Sequence, residues 1–375
     1  SCRIQIVFCS LFCASSSFAM VNNDEFRISL VNSLSENSEI IRFYQDNGFQ
    51  PLWVGNERKN RERRSYFFKE LKNASKHVLP ALRYDLDYLK RQARSAKSSS
   101  DLGLTEALIT LKFVDYSSNL QTGVLKPSSV DKEIVRKVPY RTTTAYLETI
   151  RSAPPADFFR GLQPQSKQYS LLLQEKLRLE KIIAQGGWNS DLPDELIRPG
   201  DVGGKVVLLR NALIKRGYLE RTSSEEYDGN LRRAVQLFQL RHGLAPDGIA
   251  GPATFSEIAK TAQERLASVL VALEREKWTN FDFGSRHVIV NLPDFSTKLF
   301  ENGALIFETR NVIGTPVDEQ RTPEFSDVIE HLITNPTWNV PKSITLKEYL
   351  PEMQEDPLAH DYLELIDLDR EIVPR

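Results

Sequence analysis

The run Tyr227–Ile258, YDGNLRRAVQLFQLRHGLAPDGIAGPATFSEI, constrains this chain more than any other stretch. Leu231, Ala234, Val235 and Phe238 recur at i, i+3, i+4 and i+7, the apolar stripe of an amphipathic helix, with Arg232, Arg233 and Gln236 on the other side. Gly243 follows as the stop, because glycine takes positive φ there without a Cβ clash. Leu244 is then placed to fold back on Phe238. Pro246-Asp247-Gly248 reads as a turn. Gly251-Pro252 opens a second helix, with proline at its first position, where a missing N–H costs nothing. Phe255, Ile258 and Ala259 are expected on its buried side. Upstream, Val202, Val206, Leu209, Leu213 and Ile214 share one face of a third helix that Gly217 ends. Residues 199–262 are thus expected to form a compact three-helix module.

The 375 residues suggest two or three domains, and 41% hydrophobic with 26% charged residues is an ordinary globular composition. The net charge of −1 implies no nucleic acid or other polyanion as partner. Arg3, the apolar run Ile4–Phe12 and the small residues Ser17 and Ala19 read as a secretory signal peptide, residues 1–19, cut after Ala19. The run is too short to span a bilayer. Bulky Phe8 and Phe12 precede Cys9 and Cys13, which argues against a lipoprotein signal. All three cysteines, Cys2, Cys9 and Cys13, fall inside this segment. Residues 20–375 therefore offer no disulfide, thiolate metal site or cysteine nucleophile.

Between residues 20 and 190 the patterns are mainly helical. Ile40, Ile41, Phe43 and Tyr44 lie on a helix that Gly48 ends. Glu57–Arg64 is a charge run, expected as a solvated helix start. Ser95–Ser100 is a polar connector. Leu104, Ala107, Leu108, Leu111 and Val114 mark the stripe of another helix, stopped at Thr122-Gly123. Tyr169, Leu172, Leu173 and Leu177 start a long helix ending at Gly186-Gly187-Trp188. From Arg286 the period changes to two. His287–Leu292 is expected as a strand, and Lys298–Glu301 and Ala304–Thr309 as a hairpin joined by Asn302-Gly303. Val312–Gly314 should continue the sheet and Val328–Ile333 should add a strand. Asn335–Pro341 reads as a rigid loop, and Thr345 with Glu348 as the capping box of a short helix.

These motifs carry a resemblance. AVQLFQLRHGLAPDGIAGPATF is similar to the peptidoglycan-binding domain of bacterial wall enzymes. VNLPDFSTKLFENG, VIGTP, TPEFSDVI and NPTWNVPKSI resemble the first half of the all-β catalytic domain of large, multidomain periplasmic L,D-transpeptidases. Glu274-Arg275-Glu276-Lys277-Trp278 fits the linker helix that this family carries before that domain. The resemblance implies a multidomain α + β chain. Its parts are a helical scaffold domain (20–190), a three-helix peptidoglycan-binding module (199–262), a linker helix (263–285) and a partial all-β catalytic domain (286–375). It also implies a periplasmic location, peptidoglycan tetrapeptide stems as partner, no cofactor and no metal. Tyr227, Arg241 and His242 are the candidate ligand contacts of the module.

The family acts through a cysteine thiolate paired with histidine. The thiolate displaces the terminal D-alanine of a tetrapeptide stem, and a neighbouring stem amine then takes the acyl group to form a 3→3 crosslink. The Ser-His-Gly-Cys run that supplies the nucleophile is absent from these residues, and none of His287, His331 or His360 matches the catalytic histidine. No catalytic residue is therefore assigned. Two readings follow: an L,D-transpeptidase whose catalytic end lies outside residues 1–375, or a non-catalytic wall-binding scaffold. An unclosed sheet would expose strand edges and apolar surface, which favours the first. Other chemistries lack support. Ser129-Val130-Asp131-Lys132 fits S-x-x-K without the K-T-G or S-D-N that accompany it, and no H-E-x-x-H or phosphate-loop pattern occurs.

Overall fold

The computed structural model describes residues 23–188, 192, 195–317, 320–366 and 372–373. The expected signal peptide, its cleavage point and all three cysteines lie outside them. Contacts divide the chain into two units, residues 1–326 and 327–375. Helices and a small antiparallel sheet together make the α + β architecture expected from the sequence.

The scaffold region is built around the helix Ser99–Thr122. Ser98 and Asp101 form a capping box at its start, inside the polar connector, and each satisfies a backbone N–H that the helix end would leave unpaired. This helix is covered on most of its circumference. Its buried residues include Thr105, Glu106, Ile109, Thr110, Phe113 and Tyr116, while Leu104, expected on the buried stripe, is exposed. The helix carries a polar core face, which an apolar count misses. Glu106 is fully buried and accepts hydrogen bonds from the Tyr44 hydroxyl (2.7 Å) and the backbone N–H groups of Leu52 (2.6 Å), Trp53 (3.1 Å) and Val54 (3.0 Å). One carboxylate thus organises the whole loop after the helix Ser38–Asp46. Burial pushes its pKa up against the opposing effect of these donors. The Trp53 ring packs against Phe67 (5.6 Å) and Phe113 (4.9 Å), and Phe67 stacks on Phe159 at 6.0 Å.

The charge run Glu57–Arg64 begins the helix Arg58–Lys72, yet it is only partly solvated. Arg63 is buried and donates to the carbonyls of Leu52 and Arg151, and Arg64 donates to that of Trp53. Their guanidinium groups satisfy the loop carbonyls of Leu52 and Trp53 and the Arg151 carbonyl in the last turn of the helix Thr143–Ser152.

The helix Ala262–Trp278 takes the place expected of a linker, but it is docked along its length. It packs against the helix Lys167–Ala184. Glu274 accepts from the N–H groups of Val124 (2.5 Å) and Leu125 (2.7 Å), and fully buried Lys277 pairs with Glu274. Just beyond the helix, Asn280 donates to the carbonyls of Gln121 (2.9 Å) and Leu162 (2.8 Å).

Strands Arg286–Asn291, Ser296–Glu301 and Ala304–Arg310 form an antiparallel sheet in sequence order. Asn302 and Gly303 both have positive φ, the geometry of a tight hairpin turn. A register shift at Leu299/Phe300 bulges the last strand. Val312–Gly314 does not extend the sheet: Val312 is 97% exposed. In the second unit, Val328–Ile333 is likewise not a strand, and its apolar side chains stay exposed. An apolar or alternating pattern marks the capacity to pair, but only a neighbouring strand turns it into a ladder. The Thr345–Glu348 capping box is also absent. Thr345 lies inside a helical run that starts at Lys342, and its hydroxyl donates back to the Pro341 carbonyl (3.2 Å). Residues 345–349 form a π-type turn just before Pro351, which has no N–H to continue the regular ladder.

Candidate functional site

Three helices, Gly204–Lys215, Gly229–Arg241 and Pro252–Ala259, make the module, and the expected stripe Leu231, Ala234, Val235 and Phe238 is buried. Gly243 has φ +71°, and Leu244 N–H returns to the Gln239 carbonyl (2.9 Å), closing the helix as expected. Two details differ. Val202 precedes its helix and is exposed, pairing instead in a bridge with Glu226. Ala259 is also exposed, and Thr254 takes the buried place beside Phe255 and Ile258.

The motif residues mostly hold the module together. Gln239 is buried, and both ends of its amide are hydrogen-bonded. The two N–H groups of its Nε2 are shared among Asp247 Oδ1 (2.9 Å), the Ile249 carbonyl (2.9 Å) and Thr254 Oγ1 (3.1 Å), while Oε1 accepts from Gly248 N–H (2.9 Å). The Asp-Gly turn is thereby tied to the middle helix. Arg210 is buried as well, donating to the Glu226 carbonyl (2.6 Å) and to Asp228 (3.0 Å), the N-cap of that helix.

Tyr227 is not a surface contact. It is 3% exposed and its hydroxyl donates to the Gly248 carbonyl (2.9 Å), so it braces the turn from within. The structure brings Arg241 and His242 together with a residue that the sequence reading passed over, Tyr218. Arg241 is exposed and its guanidinium lies over the Tyr218 ring (5.6 Å). Tyr218 meets Phe238 edge-on (5.2 Å), and His242 stacks on Phe238 at 4.0 Å. His242 Nδ1 lies 2.7 Å from the Phe238 carbonyl, which can only accept, so Nδ1 carries the proton and Nε2 is left as an acceptor. Burial lowers the pKa of this imidazole, which keeps it neutral at neutral pH. Tyr218 and His242 thus form a half-buried aromatic surface over the buried Phe238 ring, with the Arg241 guanidinium at its edge. Such a surface suits a ligand with apolar faces, hydroxyl or amide groups and carboxylates.

In the sheet region, His287 stacks on Phe300 (5.2 Å) and its Nδ1 lies 3.1 Å from the Gly284 carbonyl. In the second unit, His360 Nε2 meets Glu352 at 2.7 Å and Nδ1 lies 3.0 Å from the Tyr362 hydroxyl. His331 lies in an irregular stretch. Ser129 donates to the Lys126 carbonyl within its own turn, and Asp131 pairs with Arg321 (2.6 Å), 190 residues on, so both have structural partners. No cysteine occurs among the described residues, and none of their His, Asp and Glu groups cluster as a metal site.

Comparison with known proteins assigns three regions in the same order. Residues 38–177 match the family model described as "Scaffold domain", residues 202–258 that of "Putative peptidoglycan binding domain" and residues 285–368 that of "L,D-transpeptidase catalytic domain". A curated relative from Haemophilus influenzae, named "Putative L,D-transpeptidase", is 33% identical over 78 residues. That alignment covers 20% of this chain and 16% of the relative's length. The chain thus carries, one after another, a scaffold domain, a peptidoglycan-binding domain and residues of an L,D-transpeptidase catalytic domain.

Proposed function

We propose that this chain acts in L,D-transpeptidation of peptidoglycan in the bacterial periplasm, after export by the segment 1–19. The observation that carries the reading is the succession of matched regions, a wall-binding module joined by a docked helix to catalytic-domain residues. In this mechanism a cysteine thiolate attacks the carbonyl of the third residue of a tetrapeptide stem. The C–N bond to D-alanine breaks, and the leaving amine takes a proton. The amine of a second stem then attacks the thioester, forms the 3→3 amide bond and returns the thiolate.

Residues 1–375 hold cysteine only at 2, 9 and 13 and contain no Ser-His-Gly-Cys run. Their part in the reaction is wall contact through the module and support of the sheet region by the scaffold. The assay is incubation of the 375-residue chain with a disaccharide-tetrapeptide, with products read by mass spectrometry. No crosslinked dimer is expected above the protein-free control. A chain joining these residues to a Ser-His-Gly-Cys run should form that dimer and lose it when the cysteine is replaced. Failure of the joined chain, with wall binding intact, would favour the non-catalytic scaffold reading.

A further inference from the structure

We infer that the segment 321–326 is clasped to the scaffold by an ion cluster centred on Glu324, so that the scaffold holds the catalytic-domain residues through side chains as well as through the connecting chain. Both carboxylate oxygens of Glu324 accept from Arg275 Nη2, at 2.8 and 2.7 Å. Arg136 reaches the same carboxylate, with Nε at 3.1 Å and Nη2 at 3.0 Å from Oε2. Arg136 follows the scaffold strand Ile134–Val135, and Arg275 lies on the docked helix Ala262–Trp278. The three groups come from three separate stretches of chain and meet at one point.

The backbone follows the same path. Glu324 N–H donates to the Glu133 carbonyl (2.9 Å), and Ile134 and Val135 pair in parallel with Glu324 and Phe325. A second ion pair, Arg321 with Asp131 (2.6 Å), closes the segment three residues earlier. Two paired residues are too few for a stable ladder on their own. Apolar burial supplies only part of the rest: Ile134 is 5% exposed, but Val135 and Phe325 remain 60% and 63% exposed. The ion cluster is what distinguishes this contact from a chance bridge. An open surface ion pair contributes little, but the Glu324 side chain is only 23% exposed and serves two guanidinium groups. Without its charge, two cations would face each other across a neutral centre.

This inference stands on geometry within residues 131–326 and does not depend on the transpeptidase reading. The test is hydrogen exchange read by mass spectrometry on the full chain, comparing wild type, Glu324→Gln and Arg136→Gln. Peptides covering 131–137 and 320–326 should be protected in the wild type and exchange about tenfold faster in Glu324→Gln. Peptides from Ser99–Thr122 should be unchanged. Arg136→Gln leaves the Arg275 pair in place and should give a smaller rise in the same peptides. It serves as the measure should Glu324→Gln not fold. Wild-type exchange of these segments at open-chain rates, or protection unchanged by the substitution that folds, would overturn the clasp.

Discussion

Gly123 and Glu274 touch: a Cβ built on Gly123 would lie 2.5 Å from Glu274 Oε1 and 3.0 Å from Trp278 Nε1. Gly123 ends the central scaffold helix with φ +88° and ψ 168°, a conformation open almost only to glycine. The next two N–H groups bind Glu274. The end of one helix is therefore the seat of the helix that leads into the sheet region.

Gly123→Ala should destabilise the protein by more than about 2 kcal/mol, through both the forced φ and the lost approach of Glu274. Gly161→Ala is the control. It sits in the helix Pro155–Leu162 with open space around it and should be neutral or stabilising by up to about 1 kcal/mol. Thermal melts of both variants read the difference, and equal shifts would contradict the seat.

Within the module, Gly243→Ala should cost about 1 kcal/mol, because φ is +71° although no atom crowds the site. Gly229 is the first residue of the helix Gly229–Arg241, without positive φ, so Gly229→Ala should cost less or stabilise. Melts in which Gly229→Ala is the more damaging would remove this account of the helix ends.

His77 gives a pH signature. Burial, then the positive charges of Lys277, Lys76 and Lys176, lower its pKa to about 4, and its Nδ1 lies 2.9 Å from the Tyr169 hydroxyl. The folded state therefore keeps the ring neutral where the unfolded chain, titrating near 6.5, would protonate it. Its stabilising effect is complete above pH 6.5 and is lost as pH falls from 6.5 towards 4, by up to about 3 kcal/mol. Denaturant melts across that window should show the fall, and His77→Gln should flatten it. An identical slope in the variant would remove His77 as the cause.

The module was legible because its signals are local. The apolar spacing of Leu231–Phe238, the glycine stop and the proline helix start all lie within a few residues of what they control. What escaped is made by partners far apart in the chain. Glu106 looks like a solvated helix residue until Leu52, Trp53 and Val54 turn their N–H groups onto it. Glu274 and Lys277 look like the surface of a linker until the turn after Gly123 binds Glu274 and buried Lys277 pairs with that carboxylate. The resemblance implies Tyr227 as a ligand contact, but its hydroxyl is held by the Gly248 carbonyl, 21 residues on. Val328–Ile333 has a strand's residues and no strand paired with it among the described residues.

Arg241 and Tyr227 should separate binding from folding. Arg241→Ala removes an exposed cation over the Tyr218 ring and should leave stability within about 0.5 kcal/mol while weakening wall retention. Tyr227→Phe should lose about 1 kcal/mol with the Gly248 hydrogen bond and leave retention unchanged. The reverse pattern would return Tyr227 to the ligand surface.

Co-sedimentation of the 375-residue chain with purified peptidoglycan sacculi tests the central claim, that these residues act on the cell wall. The chain should pellet with sacculi well above an unrelated helical protein of similar charge, and Arg241→Ala should reduce the pelleted fraction. Recovery equal to that control for the folded wild-type chain would contradict the assignment of a wall ligand.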